Sequence, residues 1–312
     1  MEIRQLRHFL ALMETASYWR AAEQCNLTPQ ALSKSIRRFE ESLGVRLFDR
    51  DSRSVKPTLF ADRIAPWAAN IDAEARSLRR ELDQLLGTGT NQLAIGAGAA
   101  AAMEIAAAAI LAVREHNPKL SVTVMEGTIE SLIPQLCSGK LDVVVGILTT
   151  DTIEPIVGHQ ILKVERYHVF GRADHPLAGR AAVPLSELAA YPWITGADDD
   201  RAMDEVRESF DRHGLNLPAA QFRTDSVTFA VSLVQQSDAL FLLPLEMVRR
   251  DVEAGKLAVL DVDAEPWTRP TAVFYRKNST RSPDSVRFLQ KVRALVEARG
   301  LAPTPEATAG CL

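Results

Sequence analysis

Thr28-Pro29-Gln30-Ala31-Leu32-Ser33-Lys34-Ser35-Ile36-Arg37-Arg38-Phe39-Glu40-Glu41-Ser42-Leu43-Gly44 decides the fold of the N-terminal region. Thr28 carries an N-cap hydroxyl, Pro29 suits the first helical position, and Gly44 suits the stop. At roughly 100° per residue, Leu32, Ile36, Phe39 and Leu43 fall within about 40° of one line, the expected core face. Gln30, Ser33, Lys34 and Arg37 cluster around roughly 150° from it. All four are hydrogen-bond donors, two are cations and none is an acid. Alone, that is also the description of a solvated helix face. What precedes it changes the reading. Leu6, Phe9, Leu10 and Met13 form an amphipathic stripe. Ser17 is an N-cap for a short helix through Ala21, Ala22 and Cys25, and Asn26-Leu27-Thr28 is a turn. Three helices with a cationic polar third face have the geometry that enters a major groove.

Outward from the helix, Val45–Lys56 reads as two β-prone runs around a charged turn, a hairpin wing. Its Arg50, Arg53 and Lys56 suit phosphates or a minor groove. Residues 1–57 carry ten Lys/Arg and seven Asp/Glu, a charge of +3, while the whole chain is −4 and the remainder therefore −7. A basic head on an acidic body is compatible with nucleic-acid binding by the head.

These residues resemble the LysR-type transcriptional regulators. The resemblance is carried by Leu6-Arg7-His8-Phe9, Ala21-Ala22, Thr28-Pro29-Gln30-Ala31-Leu32-Ser33, Ile36, Glu40 and Leu43-Gly44-Val45-Arg46-Leu47-Phe48-Asp49-Arg50. Two departures stand out: the order Pro29-Gln30, where the family has Gln then Pro, and Pro57-Thr58-Leu59-Phe60-Ala61 after the wing. The resemblance implies a DNA-binding site of Thr28, Pro29, Gln30, Ser33, Lys34, Arg37, Arg50 and Arg53. It further implies an interrupted palindromic operator in double-stranded DNA, assembly as dimer and tetramer, and RNA polymerase as a candidate further partner.

From Thr58 to Leu86, apolar residues step mostly by four and three, with Trp67, Ile71, Leu78 and Leu82 as expected dimerisation knobs. Glu74-Ala75 interrupts the pattern, and Pro66 is expected to bend the helix or release one backbone bond. Gly87-Thr88-Gly89-Thr90 reads as a hinge.

From Gln92 strands, expected at Leu93–Gly96, Ser121–Glu126, Asp142–Ile147, Tyr167–Gly171, Trp193–Thr195, Gln221–Thr224, Ala239–Leu243, Leu257–Leu260 and Thr271–Tyr275, alternate with helices expected at Met103–His116, Ile129–Cys137, Met203–His213, Val227–Gln236, Leu245–Glu253 and Ser285–Ala298. That alternation implies an α/β fold with mainly parallel sheets. Pro118-Lys119-Leu120-Ser121-Val122, Glu126-Gly127, Gly139-Lys140-Leu141-Asp142-Val143 and Asp174-His175-Pro176-Leu177-Ala178 resemble the family's effector domain. That domain is similar to type 2 periplasmic binding proteins, two lobes with a ligand between them. The expected organisation is α/β overall: a winged helix-turn-helix at 1–57, a linker helix and hinge at 58–90, and an effector domain at 91–300. The first lobe is expected at 91–162 and 268–300 and the second at 163–267, with crossings near 161–166 and 261–268. Residues 301–312 are expected to form a flexible tail.

In α/β folds ligands sit beyond the carboxyl ends of strands, near helix N-termini. That selects Ala100, Ala101, Thr128, Leu148, Thr149, Thr195 and Ser226 as expected effector-binding residues. Each hydroxyl among them is equally a plausible helix cap. The first loop, Ala97-Gly98-Ala99-Ala100-Ala101-Ala102, offers only backbone N–H groups where the resembled family often has a hydroxyl. The expected ligand is a small organic acid with an apolar body.

The main rival is an enzyme or solute-binding protein built on the same two-lobed fold. Gly96-Ala97-Gly98 lacks the third glycine of a dinucleotide fingerprint, and Walker, Gly-x-Ser-x-Gly and His-Glu-x-x-His motifs are missing from the chain. Its six histidines have no ligand spacing, so no metal and no cofactor are expected. Cys25, Cys137 and Cys311 are scattered, which fits a reducing compartment rather than a disulfide framework. The first residues lack the apolar run of a secretory signal, and the alanine-rich stretch Ile95–Val113 makes a poor membrane span. The expected location is the cytoplasm, without membrane contact.

Overall fold

A computed structural model describes residues 1–49, 55–86, 91–148, 155–196, 202–277 and 279–299. The chain divides into two compact units, the first comprising residues 1–162 and 272–300 and the second 163–271.

The first unit opens with helices α1 (Ile3–Thr15), α2 (Tyr18–Gln24) and α3 (Pro29–Leu43). The expected caps are in place: Ser17 accepts from the Arg20 N–H at 3.5 Å and Thr28 from the Ala31 N–H at 3.2 Å. Gly44 closes α3 at φ +72°, a conformation costly for any residue with a Cβ. Leu6, Phe9, Leu12, Ala21, Ala22, Leu32, Ile36 and Phe39 form one core. Phe9 lies at its centre, with ring centroids 5.7 Å from Phe39 and 5.8 Å from Phe48. Leu43 departs from the expected core face and is 37% exposed. It is the last residue of the helix, where the chain turns away at Gly44. The buried place on that turn belongs to Glu40, whose carboxylate accepts the N–H groups of Leu47 at 2.8 Å and Phe48 at 3.3 Å. The wing strands β1 (Phe48–Asp49) and β2 (Lys56–Pro57) pair antiparallel, Phe48 opposite Pro57.

Helix α4 (Leu59–Leu85) follows and runs through Pro66 without a break in its helical assignment. It has two different faces. Ala61, Ala68, Ala69, Asp72 and Ala73 are buried within the unit, whereas Trp67, Ile71, Leu78 and Leu82 are exposed.

The rest of the first unit is a parallel sheet with helices. Strand β3 (Gln92–Ala97) lies between β4 (Ser121–Glu126) and β5 (Val143–Ile147). Their registers place Ala97 opposite Glu126 and Val145. After β3, α5 (Ala99–Ala101) passes through a π-helical turn, Ala102–Ala106, into α6 (Ala107–His116). The helical run therefore starts four residues before the expected Met103, because alanine favours helix as soon as Gly98 has turned the chain. Helix α7 (Ile129–Cys137) buries Ile129, Leu132, Ile133, Leu136 and Cys137 against β5 and its neighbours.

Two segments expected as short strands are long. Strand β6 (Val157–Arg172) begins ten residues before the expected Tyr167 and carries the chain from the first unit into the second. The stretch expected as a crossing near 161–166 lies inside this strand, where Lys163 and Glu165 are both buried and their Nζ and Oε1 lie 2.7 Å apart. Mutual neutralisation lets a strand contain them where either alone would not.

The second unit adds β7 (Val183–Pro184), α8 (Leu185–Leu188), β8 (Trp193–Thr195), α9 (Ala202–Arg212), β9 (Phe222–Arg223), α10 (Val227–Val234), β10 (Leu240–Pro244), α11 (Leu245–Glu253), β11 (Leu257–Leu260) and β12 (Val262–Asp263). Three of these were not expected: β7, α8 and β12. The two strands are two residues each and, among the described residues, pair only with one another, so no run of alternating residues marks them. Strand β10 is antiparallel to β6 and parallel to β8, and β8 is parallel to β9. Strand β13 (Trp267–Arg276) returns the chain to the first unit, also longer than the expected Thr271–Tyr275. Helix α12 (Pro283–Ala298), capped by Ser282, ends the described chain.

Candidate nucleic-acid interface and effector site

Helix α3 presents Gln30, Lys34 and Arg37 exposed and Ser33 half-buried, on the side away from Leu32, Ile36 and Phe39. Thr28 and Pro29 fix where this face begins, because the hydroxyl cap and the ring start the helix at that residue. Behind the face, His8 of α1 is buried, and its Nδ1 lies 2.7 Å from the Ser35 hydroxyl. Burial, and then the nearby Arg4 charge, hold the His8 pKa below its ordinary value. His8 thus braces α3 as a neutral ring. Glu40 braces the other end by holding the wing strand to the helix. Neither role is visible in the spacing of apolar residues, since both side chains are polar and both are buried. Arg50 and Arg53 lie outside the described residues.

The expected effector residues separate into two groups. Ala100, Ala101, Thr128 and Leu148 stand in the first unit at the carboxyl ends of β3, β4 and β5. The β3 and β5 ends are close: the Gly98 N–H donates to the Val145 carbonyl at 2.8 Å. A Cβ on Gly146 would lie 2.7 Å from Ile129 Cδ1, so helix α7 approaches β5 over a glycine. Ala101 is 2% and Leu148 9% exposed, so their side chains belong to the unit's packing. Thr128 is exposed and caps α7, accepting the Ser131 N–H at 3.4 Å. Glu130 in the first turn of α7 partly offsets the positive helix end. In the second unit, Thr195 ends β8 and is half-buried, its hydroxyl 3.3 Å from the Gly196 carbonyl. Ser226 caps α10, accepting the Phe229 N–H at 3.3 Å. Thr149 lies outside the described residues. Two cavities of the first unit, about 470 and 630 Å³, are lined by other residues, among them Arg276 and Arg281 in one and Arg7 and Asp72 in the other.

Among the described residues no group of His, Cys, Asp or Glu is placed to hold a metal ion. No described helix is long and apolar enough to cross a membrane.

Residues 3–62 match the model described as bacterial regulatory helix-turn-helix protein, lysR family, and residues 87–297 match the LysR substrate binding domain. The chain belongs to the LysR family. It is a DNA-binding transcriptional regulator with an effector-binding domain, not an enzyme. The LysR-type resemblance and the α/β fold class read from the sequence hold. Among curated relatives, the SDS degradation transcriptional activation protein of a Pseudomonas species is 32% identical over 84% of this chain and 85% of its own length. The dual regulator OxyR of Escherichia coli is 27% identical over 95% and 96%. Among solved structures, full-length OxyR C199D of Pseudomonas aeruginosa superposes with a TM-score of 0.64 at 21% identity, covering 94% of this chain and 98% of that one. A LysR family regulator, CbnR, gives 0.59 at 19% identity, covering 95% and 99%.

Proposed function

We propose that this regulator reads an interrupted palindrome as a dimer or tetramer in the cytoplasm, and that a small organic acid sets its affinity or geometry on DNA. The observation that carries the DNA half is the α3 face: Gln30, Lys34 and Arg37 exposed, with no acid among them, on a helix capped and braced from behind. In this reading Gln30 and Ser33 meet base edges, Lys34 and Arg37 bases or phosphates, and Arg50 and Arg53 the backbone or minor groove beside them. Good bidentate base contacts give roughly 1–3 kcal/mol of discrimination each. A duplex enriched from a random-sequence pool supplies the operator. Gln30→Ala is expected to change the ranking of single-base variants of it more than it weakens binding to unrelated DNA. An unchanged ranking removes Gln30 from base reading. Arg50→Ala is expected to flatten the dependence of log K on log salt by about 0.9, one phosphate contact.

Assembly rests on Trp67, Ile71, Leu78 and Leu82, four large apolar side chains exposed on one helix. Solvent is a costly neighbour for such a row, and a second α4 would cover it. RNA polymerase is the proposed further partner of the assembled regulator at promoters.

The effector reading rests on Thr128, Thr195 and Ser226, hydroxyls at strand ends whose helices start with N–H groups. Such ends favour an anion, and half-buried Ala100 suits an apolar body. Thr128→Ala is expected to weaken a carboxylate ligand by about 1.5–3 kcal/mol, one charge-assisted hydrogen bond, and to leave ligand-free DNA binding intact. Calorimetry against a panel of carboxylic acids, then footprinting with the hit, tests it. A neutral ligand, or an undiminished response in the Thr128 and Thr195 double mutant, rejects the site.

A further inference from the structure

One ionic cluster serves neither the α3 face nor the strand ends. Asp72 of α4 is a charged residue only 4% exposed. Its carboxylate is shared by two arginines from different places. Arg7 of α1 donates its Nε–H to Oδ1 at 2.6 Å, and Arg76, one turn further along α4, donates from Nη1 to Oδ2. Arg76 also donates from Nη2 to the carbonyl of Ser138, in the turn after α7. The next residue, Gly139, has φ +68° and sits so close to α4 that a Cβ there would collide with the Cβ of Ala73. Lys140 then places its Nζ 4.0 Å from Glu14 Oε1 on α1. A buried carboxylate is tolerated only with such pairing, and removing one partner leaves an uncompensated charge. The three segments are therefore held as one piece around Asp72.

We propose that this cluster is an intra-subunit clamp through which the effector-binding part of the first unit sets the position of the DNA-binding helices. The covalent route between them passes through residues 87–90; the clamp is a second, shorter route from the α7 turn across α4 to α1. Helix α7 is one nine-residue rod whose far end is capped by Thr128. A shift at that end is delivered to Ser138–Lys140 and so to Arg76, Asp72 and Arg7. The link from Thr128 rests on the effector reading above; the clamp itself does not.

The test uses the full chain and a duplex enriched from a random pool by the wild-type protein. Arg76→Gln opens the α7 side, Arg7→Gln opens the α1 side, and the double variant opens both. If the two arginines act through one clamp, each single variant changes DNA affinity by at least about fivefold, the low end for coupled sites. The double variant then changes it by no more than the larger single. Hydrogen exchange without DNA gives an independent reading. Gly139→Ala, outside α1, should accelerate exchange of the α1 amides, and so should Arg76→Gln, whose own side chain is half-exposed. Affinities within twofold of wild type, additive effects in the double variant, or α1 exchange unchanged in both Gly139→Ala and Arg76→Gln would each overturn the clamp.

Discussion

Replacing Glu40 tests whether the wing is held by the reading helix. The Glu40 carboxylate is 7% exposed and accepts two backbone N–H groups of the wing, Leu47 at 2.8 Å and Phe48 at 3.3 Å. Leu47 and Phe48 are themselves buried, so water does not readily replace the carboxylate. Hydrogen bonds to a charged group are worth about 1.5–3 kcal/mol each, and a buried donor left without a partner costs about 1–3 kcal/mol. Counting the short bond fully and the long one in part, Glu40→Ala should destabilise the wing by roughly 2–4 kcal/mol. Glu40→Gln keeps an acceptor and should cost less than about 1.5 kcal/mol. With a factor of ten per 1.4 kcal/mol, the alanine variant should speed exchange of the Leu47 and Phe48 amides by roughly thirtyfold to several hundredfold. The assay is hydrogen exchange of the full chain, with operator affinity measured in parallel, because the proposed Arg50 and Arg53 contacts depend on the wing. Exchange within threefold of wild type in Glu40→Ala would refute the reasoning. The wing would then be held by its strand pairing, its buried Leu47 and Phe48, and the Thr58 contacts to Leu47 and Arg46.

Ile71→Lys with Leu78→Lys places two ammonium groups on the exposed apolar face of α4 and should weaken self-association at least tenfold, read by sedimentation; unchanged assembly means the face is not the seam. His8, His168 and His175 all have pKa values held down, with burial the first cause in each. Their folded forms prefer the neutral ring, so the stability they contribute is full above the ordinary value of 6.5 and is lost as pH falls through the lowered folded values. Thermal stability should therefore fall from pH 7 to pH 5.5, less so in His8→Gln; an unchanged pH slope in that variant removes His8 from the effect. Gly96→Ala should destabilise the first unit by about 1–3 kcal/mol through overpacking, because the new Cβ would sit 2.8 Å from Leu141 Cδ1 and 3.0 Å from Val144 Cγ2. Denaturant unfolding reads it, and a loss under 0.5 kcal/mol, the scale of ordinary surface changes, contradicts the close approach.

The sequence by itself determined the helices of the N-terminal module, their caps and the polar face of α3. Each of these depends on residues a few positions apart: Ser17 and Thr28 at their caps, Gly44 at a stop, and the step from Leu32 to Ile36 to Phe39. It also determined the alternation that makes the rest α/β, because β3, β4, β5 and α7 carry their pattern locally. The tertiary structure alone decided what depends on partners far along the chain. The expected crossing near 161–166 gave no sign of a long strand, and only the structure shows Lys163 and Glu165 neutralising each other inside β6. Among the described residues strands β7 and β12 exist only as a pair, with 78 residues between Val183 and its partner Val262 and the sequence offering no period to reveal either. Glu40 reads as a solvated charge until the wing folds back over it. Asp72 reads as one polar position in a helical stripe, and only packing shows that arginines from α1 and from α4 itself converge on it while Gly139 closes against Ala73. Burial of a charge is a property of the surroundings, and a chain's own periodicity records only which side of an element is apolar.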